Sequence, residues 1–136
     1  MELRKAWCRE TAHPSYQDKW SEDNPSYGQC CVTALVMQDI IGGDIYECTM
    51  GRRKHFYNMT PDHQMHDFTA EQFPIPRDYT KNVKLRTRES LLKSRDVKQR
   101  YELLKARKAV NIRWLLLLMN MKDSLMNEEE LYFPQK

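Results

Sequence analysis

Three side chains in this sequence have the types and the order that thiol-based acyl transfer requires: Cys30, His55 and Asp67. A cysteine attacks a carbonyl as its thiolate, a base takes or holds the proton, and a third group orients that base. Cys30 follows the turn-forming run Asn24-Pro25-Ser26-Tyr27-Gly28 and precedes a dense apolar segment, so it falls where a helix should begin. The aligned peptide dipoles place about half a positive charge there, which favours thiolate. The first-turn N–H groups have no helical partner and can face an oxyanion. His55 and Asp67 flank the turn signal Thr60-Pro61-Asp62. A hairpin closed by those three residues sets His55 opposite Asp67, Tyr57 opposite Met65 and Met59 opposite His63. Opposed Cβ atoms are then about 4.5–5.5 Å apart, close enough for a carboxylate to meet an imidazole N–H. A two-residue loop would set Phe68 opposite His55 instead.

The elements that must hold these residues follow from pattern. Residues 2–9 read as a short helix with Leu3, Ala6 and Trp7 on one face. The Pro-, Ser- and Asp-rich stretch that follows reads as an ordered loop, with Trp20 pinning it to the core. From Gln29 to Ile41 apolar residues fill most sides of a helix, which predicts a buried central one stopped by Gly42-Gly43. Segments 44–50, 55–59 and 64–69 predict an antiparallel meander. Thr69 and Gln72 have the spacing of a capping box over one helical turn. From about Thr87 to about Asn127 the chain should be helical, with a break near Ser94–Asp96. Trp7 and Tyr101 are expected core anchors. The fold class is α+β: a buried helix on a small antiparallel sheet, with a helical C-terminal third.

At 136 residues the chain suits one core-forming unit. Its net charge is only +3, but residues 81–113 hold 12 Lys or Arg against 3 Asp or Glu. That stretch reads first as a solvated helix face, because its cations lie on several sides with leucines between them. Nucleic-acid or acidic-partner binding is the weaker reading. The four cysteines, Cys8, Cys30, Cys31 and Cys48, have no zinc-framework spacing. A set of Cys30, Cys48, His55 and His66 lacks ligand spacing as well. No metal and no cofactor are expected, and His13, His63 and His66 read as surface residues. The N-terminus has no signal-like apolar stretch, and the run Trp114–Met119 is far short of a membrane span. These features predict a cytoplasmic chain with free thiols and no membrane partner.

The order Cys, His, Asp on helix, strand and next strand resembles the minimal core of papain-like and transglutaminase-like enzymes. The segments "NPSYGQCCVTALVMQDIIGGDIYEC", "HFYN", "HDFTAEQF" and "RESLLKSRDVKQRYELLKAR" resemble more narrowly the YunG-like family of small bacterial proteins. In that family a GQCAVTAL-type segment is followed by a His-aromatic-x-Asn strand and an Asp-Leu-Thr strand. The resemblance implies a papain-like α+β domain over residues 1–110 and a helical extension over 111–136. It matches Cys30, His55 and Asp67 to the family's cysteine, histidine and aspartate. Cys31 stands where the family usually has alanine. The chain departs from the pattern at Arg52-Arg53-Lys54, where the approach to the histidine is otherwise Gly- and Ser-rich, and at Phe68, where leucine is usual. Asn24, six residues before the cysteine, takes the offset at which papain-like enzymes keep an oxyanion-binding glutamine; Gln29 is the nearer amide.

The expected function is therefore a thiol-dependent hydrolase or acyltransferase acting on an amide or ester. The alternative is an inactive relative that binds an acidic protein or nucleic acid through its basic helix. The apolar run Trp114–Met119 covers more than one helical turn without a polar residue, which predicts a homodimer.

Overall fold

A computed structural model describes residues 3–122. Its helices are α1 (Leu3–Ala6), α2 (Cys30–Ile41), α3 (Arg88–Leu92) and α4 (Arg95–Lys122). Its strands are β1 (Asp44–Met50), β2 (Arg53–Met59), β3 (Met65–His66) and β4 (Lys84–Arg86). The sheet order is β3-β2-β1-β4, and every neighbouring pair is antiparallel. The architecture is α+β. β4, absent from the expected meander, is a short edge strand with Leu85 exposed, and its three residues are too few for the Val83-Lys84-Leu85-Arg86 alternation to mark a strand in sequence.

α2 is the central helix. Val32, Thr33, Ala34, Leu35, Val36 and Met37 are all buried. Against them pack Leu3, Ala6 and Trp7 of the N-terminal segment, Ile45 of β1, and Leu91, Tyr101 and Leu104 of the C-terminal helices. The Trp7 indole N–H donates to Thr33 Oγ1 at 2.9 Å, and the Asn58 amide of β2 donates to the Ala34 carbonyl at 3.0 Å. Each fully buried aliphatic side chain contributes about 1.5–3 kcal/mol. Ile40, expected inside, is half exposed, while Ile41 next to it packs against the core. Gly42 ends the helix, and Gly43 is held at φ 75° against β2, where a Cβ would lie 2.1 Å from the Met59 carbonyl oxygen. Trp20 ties the loop to itself rather than to the core: it is half-buried and donates to the Pro25 carbonyl.

The far face of the sheet carries a second, smaller cluster of Cys48, Met50 and Tyr57, covered by Phe73 and Tyr79 from the segment after β3. The β2–β3 connection differs from the expected hairpin. It spans residues 60–64 and is closed by the Thr60 N–H on the Gln64 carbonyl at 2.9 Å, so Met59 pairs with Met65 and Asn58 with His66. The ladder ends at His66. The expected capping box is absent: the turn Ala70–Gln72 follows Thr69 without a side-chain cap, because the Thr69 hydroxyl turns to Asp67.

The break between helices falls at Lys93–Ser94, just ahead of the expected Ser94–Asp96, since Arg95 and Asp96 already belong to α4. Leu117 and Met119 of α4 are 51% and 40% exposed. The predicted helical continuation to Asn127 lies outside the described residues.

Candidate active site

Asp67 leaves the β3 ladder with its carboxylate fully engaged. Its Oδ1 accepts from the Thr69 backbone N–H at 3.2 Å and the Thr69 hydroxyl at 3.3 Å. Its Oδ2 accepts from His55 Nε2–H at 2.7 Å and from the Tyr79 hydroxyl at 2.6 Å. Burial alone would raise the carboxyl pKa, yet the bonds from His55, Tyr79 and Thr69 hold it below the ordinary value. The pairing of His55 with Asp67 was expected as a direct cross-strand opposition. The observed register moves Asp67 two positions along, making the contact a diagonal one. A shift of two residues preserves which face a side chain occupies, whereas a shift of one would have separated the pair.

His55 is fully buried and packs edge-on against Phe73, with ring centroids 4.9 Å apart. Its Nε2 is committed to Asp67, and its Nδ1 is buried with no hydrogen-bond partner. The Cys30 thiol interacts with the same ring. Burial disfavours the imidazolium, but the Asp67 hydrogen bond and the Cys30 thiol outweigh it and lift the His55 pKa to about 9. A ring with Nε2–H on a carboxylate and a free Nδ1, coupled electrostatically to a nearby thiol, is arranged to hold a proton for that thiol.

Cys30 is the first residue of α2. The first helical bond is Thr33 N–H to the Gln29 carbonyl, so the N–H groups of Cys30, Cys31 and Val32 precede the ladder, and no side chain caps them. The approach is fixed by Gly28 at φ 74°: its carbonyl accepts from His13 N–H at 2.9 Å, and its N–H donates to Gln72 Oε1 at 3.1 Å. A Cβ at that position would press on Tyr16 and Ala12 at 3.1 and 3.3 Å. Cys31 also faces the site, but burial and the neighbouring Cys30 push its thiol up to about 12. Burial likewise pushes Cys48, the direct cross-strand neighbour of His55, up to about 11.

Cys30 opens onto a cleft of about 380 Å³, within the size range of small-ligand sites. Its walls include Gln72, Phe73 and the cations Arg52, Arg53 and Lys54. The two amides expected to serve an oxyanion are not brought here. Gln29 is fully buried and donates its amide to the Cys8 carbonyl at 2.9 Å, away from the cleft. Asn24 sits in the preceding turn and does not line the cleft. The residues that sequence reasoning missed are Tyr79 and Gln72. Tyr79 lies in a segment with no periodic signal, and Gln72 was assigned to a cap it does not make. Among the described residues, no group of three His, Cys, Asp or Glu side chains could hold a metal ion, and no helix is long and apolar enough to cross a membrane.

Comparison with known proteins places the chain. A family model described as YunG protein matches residues 1–113. A protein of Bacillus subtilis (strain 168), described as "Uncharacterized protein YunG", is 43% identical over 77 residues, which is 57% of this chain and 62% of that relative's length. The aligned part thus spans less than two thirds of that relative. No solved structure matches. The chain belongs to the YunG family.

Proposed function

We propose that this YunG-family chain is a thiol-dependent acyl-transfer enzyme, in the manner of papain-like and transglutaminase-like enzymes, with Cys30 as nucleophile, His55 as its proton partner and Asp67 as the group that orients the ring. One observation carries the reading: a fully buried His55–Asp67 pair whose second ring nitrogen is left without a partner, in a ring coupled to the thiol at the uncapped start of α2. Structural ion pairs do not require a reactive group on their other side.

The sequence of events follows from the atoms. The His55 pKa of about 9 favours a ring that carries a proton near neutrality, the charge that would stabilise a thiolate beside it. The Cys30 sulfur attacks the carbonyl carbon of an amide or ester, and the first-turn N–H groups of α2 face the oxygen that gains charge. Collapse breaks the C–N or C–O bond, and His55 gives its proton to the leaving amine or alcohol. Water, or an acceptor amine, then attacks the thioester and returns a proton to His55, releasing the acid or the new amide. Asp67 keeps the ring in one tautomer and stabilises its charge.

The test is residue-level alkylation. Limiting iodoacetamide at pH 7 should modify Cys30 before Cys8, Cys31 and Cys48. Asp67→Asn should keep the fold and slow Cys30 by about tenfold or more, because the ring loses its acceptor. Equal rates at all four thiols, or an unchanged rate in the variant, would sink the reading. The alternative of an inactive binding scaffold would then stand.

A further inference from the structure

The wall of the Cys30 cleft contains five cations, Arg52, Arg53, Lys54, Arg86 and Arg100, and no Asp or Glu. They are not equivalent. Arg86 is paired with Glu47 at 2.5 Å, and Arg100 with Asp96 at 2.9 Å. Arg52 and Lys54 are exposed at the rim. Arg53 is half-buried, and its guanidinium carbon lies over three rings: Phe73 at 4.7 Å, Tyr16 at 5.0 Å and Tyr27 at 5.2 Å. Among the described residues no carboxylate pairs with it, and no hydrogen bond takes up its N–H groups.

Aromatic stacking uses the faces of a guanidinium and leaves its edge donors pointing outward in the plane, the fork that matches a carboxylate. Arg53 also sits two residues before His55 on β2, so both project from the same face about 6–7 Å apart along the strand. Phe73 touches both side chains. The fork is therefore held by three rings in the wall of the same cleft onto which Cys30 opens.

We propose that the Cys30 cleft selects a carboxylate-bearing acyl substrate, with Arg53 holding the carboxylate while Cys30 meets the carbonyl. The inference rests on the acyl-transfer reading for the chemistry, but its recognition half is testable alone.

Iodoacetate and iodoacetamide alkylate a thiol by the same displacement and differ in carrying or lacking a carboxylate. Their rate ratio at Cys30, measured by mass spectrometry at low salt, should exceed the ratio for free glutathione by about tenfold or more. In Arg53→Met the ratio should fall to the glutathione value while the iodoacetamide rate changes less than about twofold, since that reagent has no charge to recognise. On the unaltered protein, succinate should slow iodoacetamide at Cys30 and succinamide at matched ionic strength should not, which keeps the test valid should the Arg53 variant not fold. A glutathione-like ratio, a raised ratio that survives Arg53→Met, or equal effects of succinate and succinamide would overturn the proposal while leaving Cys30 reactive. Failure of both reagents to modify Cys30 would instead remove the acyl-transfer reading, leaving the succinate comparison to be read from binding by calorimetry.

Discussion

The segment Arg52–Lys54 and the stretch from Lys81 to Arg113 are the two cation-rich parts of this chain, and the second has far the larger count. In the long stretch four arginines are engaged by partners in the fold. Arg86 pairs with the buried Glu47. Arg88 bonds Asp39, the Tyr101 hydroxyl, Gln38 and the Leu35 carbonyl. Arg100 joins Asp96 to the Thr11 carbonyl, and Arg107 reaches the Ala6 carbonyl. These four guanidinium groups tie the C-terminal helices and β4 to the rest of the fold. In the short segment Arg53 stacks on aromatic rings and meets no carboxylate. The number of cations in a stretch says little about its use. What distinguishes the two is whether a partly buried charge already has its counter-charge.

The largest expected contrast is in pH dependence, because arginines do not titrate in the accessible range while His55, beside the short segment, does. Its folded pKa lies above the unfolded value of about 6.5, so its stabilisation is fully present below that pH and is lost as pH rises through about 9. The shift corresponds to about 3 kcal/mol. Urea unfolding from pH 6.5 to 9.5 should show that loss, and Asp67→Asn should flatten it, since burial of the ring is then no longer offset. A flat profile in the unaltered chain would break the comparison at its proton-dependent end.

Next in size is the structural role of the long stretch. Arg88→Met and Arg100→Met should each cost about 1–3 kcal/mol in unfolding free energy at pH 7, by leaving carbonyl or hydroxyl partners unsatisfied. Arg53→Met should cost less than about 1 kcal/mol, since it loses ring contacts alone. Equal costs would erase the distinction. The smallest effect concerns polyanions. With the arginines engaged, residues 81–113 should show little affinity for single- or double-stranded nucleic acid. A log–log salt slope steeper than about −3, the signature of several neutralised phosphates, would show that the long stretch binds after all.

The same contrast explains what could be read from the sequence. Cys30 was legible because a glycine turn and an apolar run mark a helix start unambiguously. His55 and Asp67 were legible as a pair although the loop between them was misjudged, because the error was two residues and strand faces repeat every two. Tyr79 and the engagement of Arg86, Arg88 and Arg100 were not legible: they depend on contacts between segments far apart in the chain, which periodicity does not report. Asn24 and Gln29 were chosen by offset from the cysteine, and offset does not fix where an amide turns. Gln29 faces the Cys8 carbonyl because its position just before the helix points it back at the N-terminal segment.

The edges of the sheet have a consequence for how copies of this chain meet. One edge is the two-residue β3 and the other the three-residue β4. A free edge is a template on which a second chain can lay down backbone bonds, and the growth of fibrils depends on that template being long. Here neither side offers more than a few residues, and β4 carries Lys84 and Arg86 flanking its exposed Leu85. The long strands β1 and β2 lie inside the sheet, with β3 alongside Asn58 and Met59 of β2 and β4 alongside Ile45, Tyr46 and Glu47 of β1. Each edge strand is thus too short to serve as such a template by itself, even though the central strands they flank carry aromatic residues.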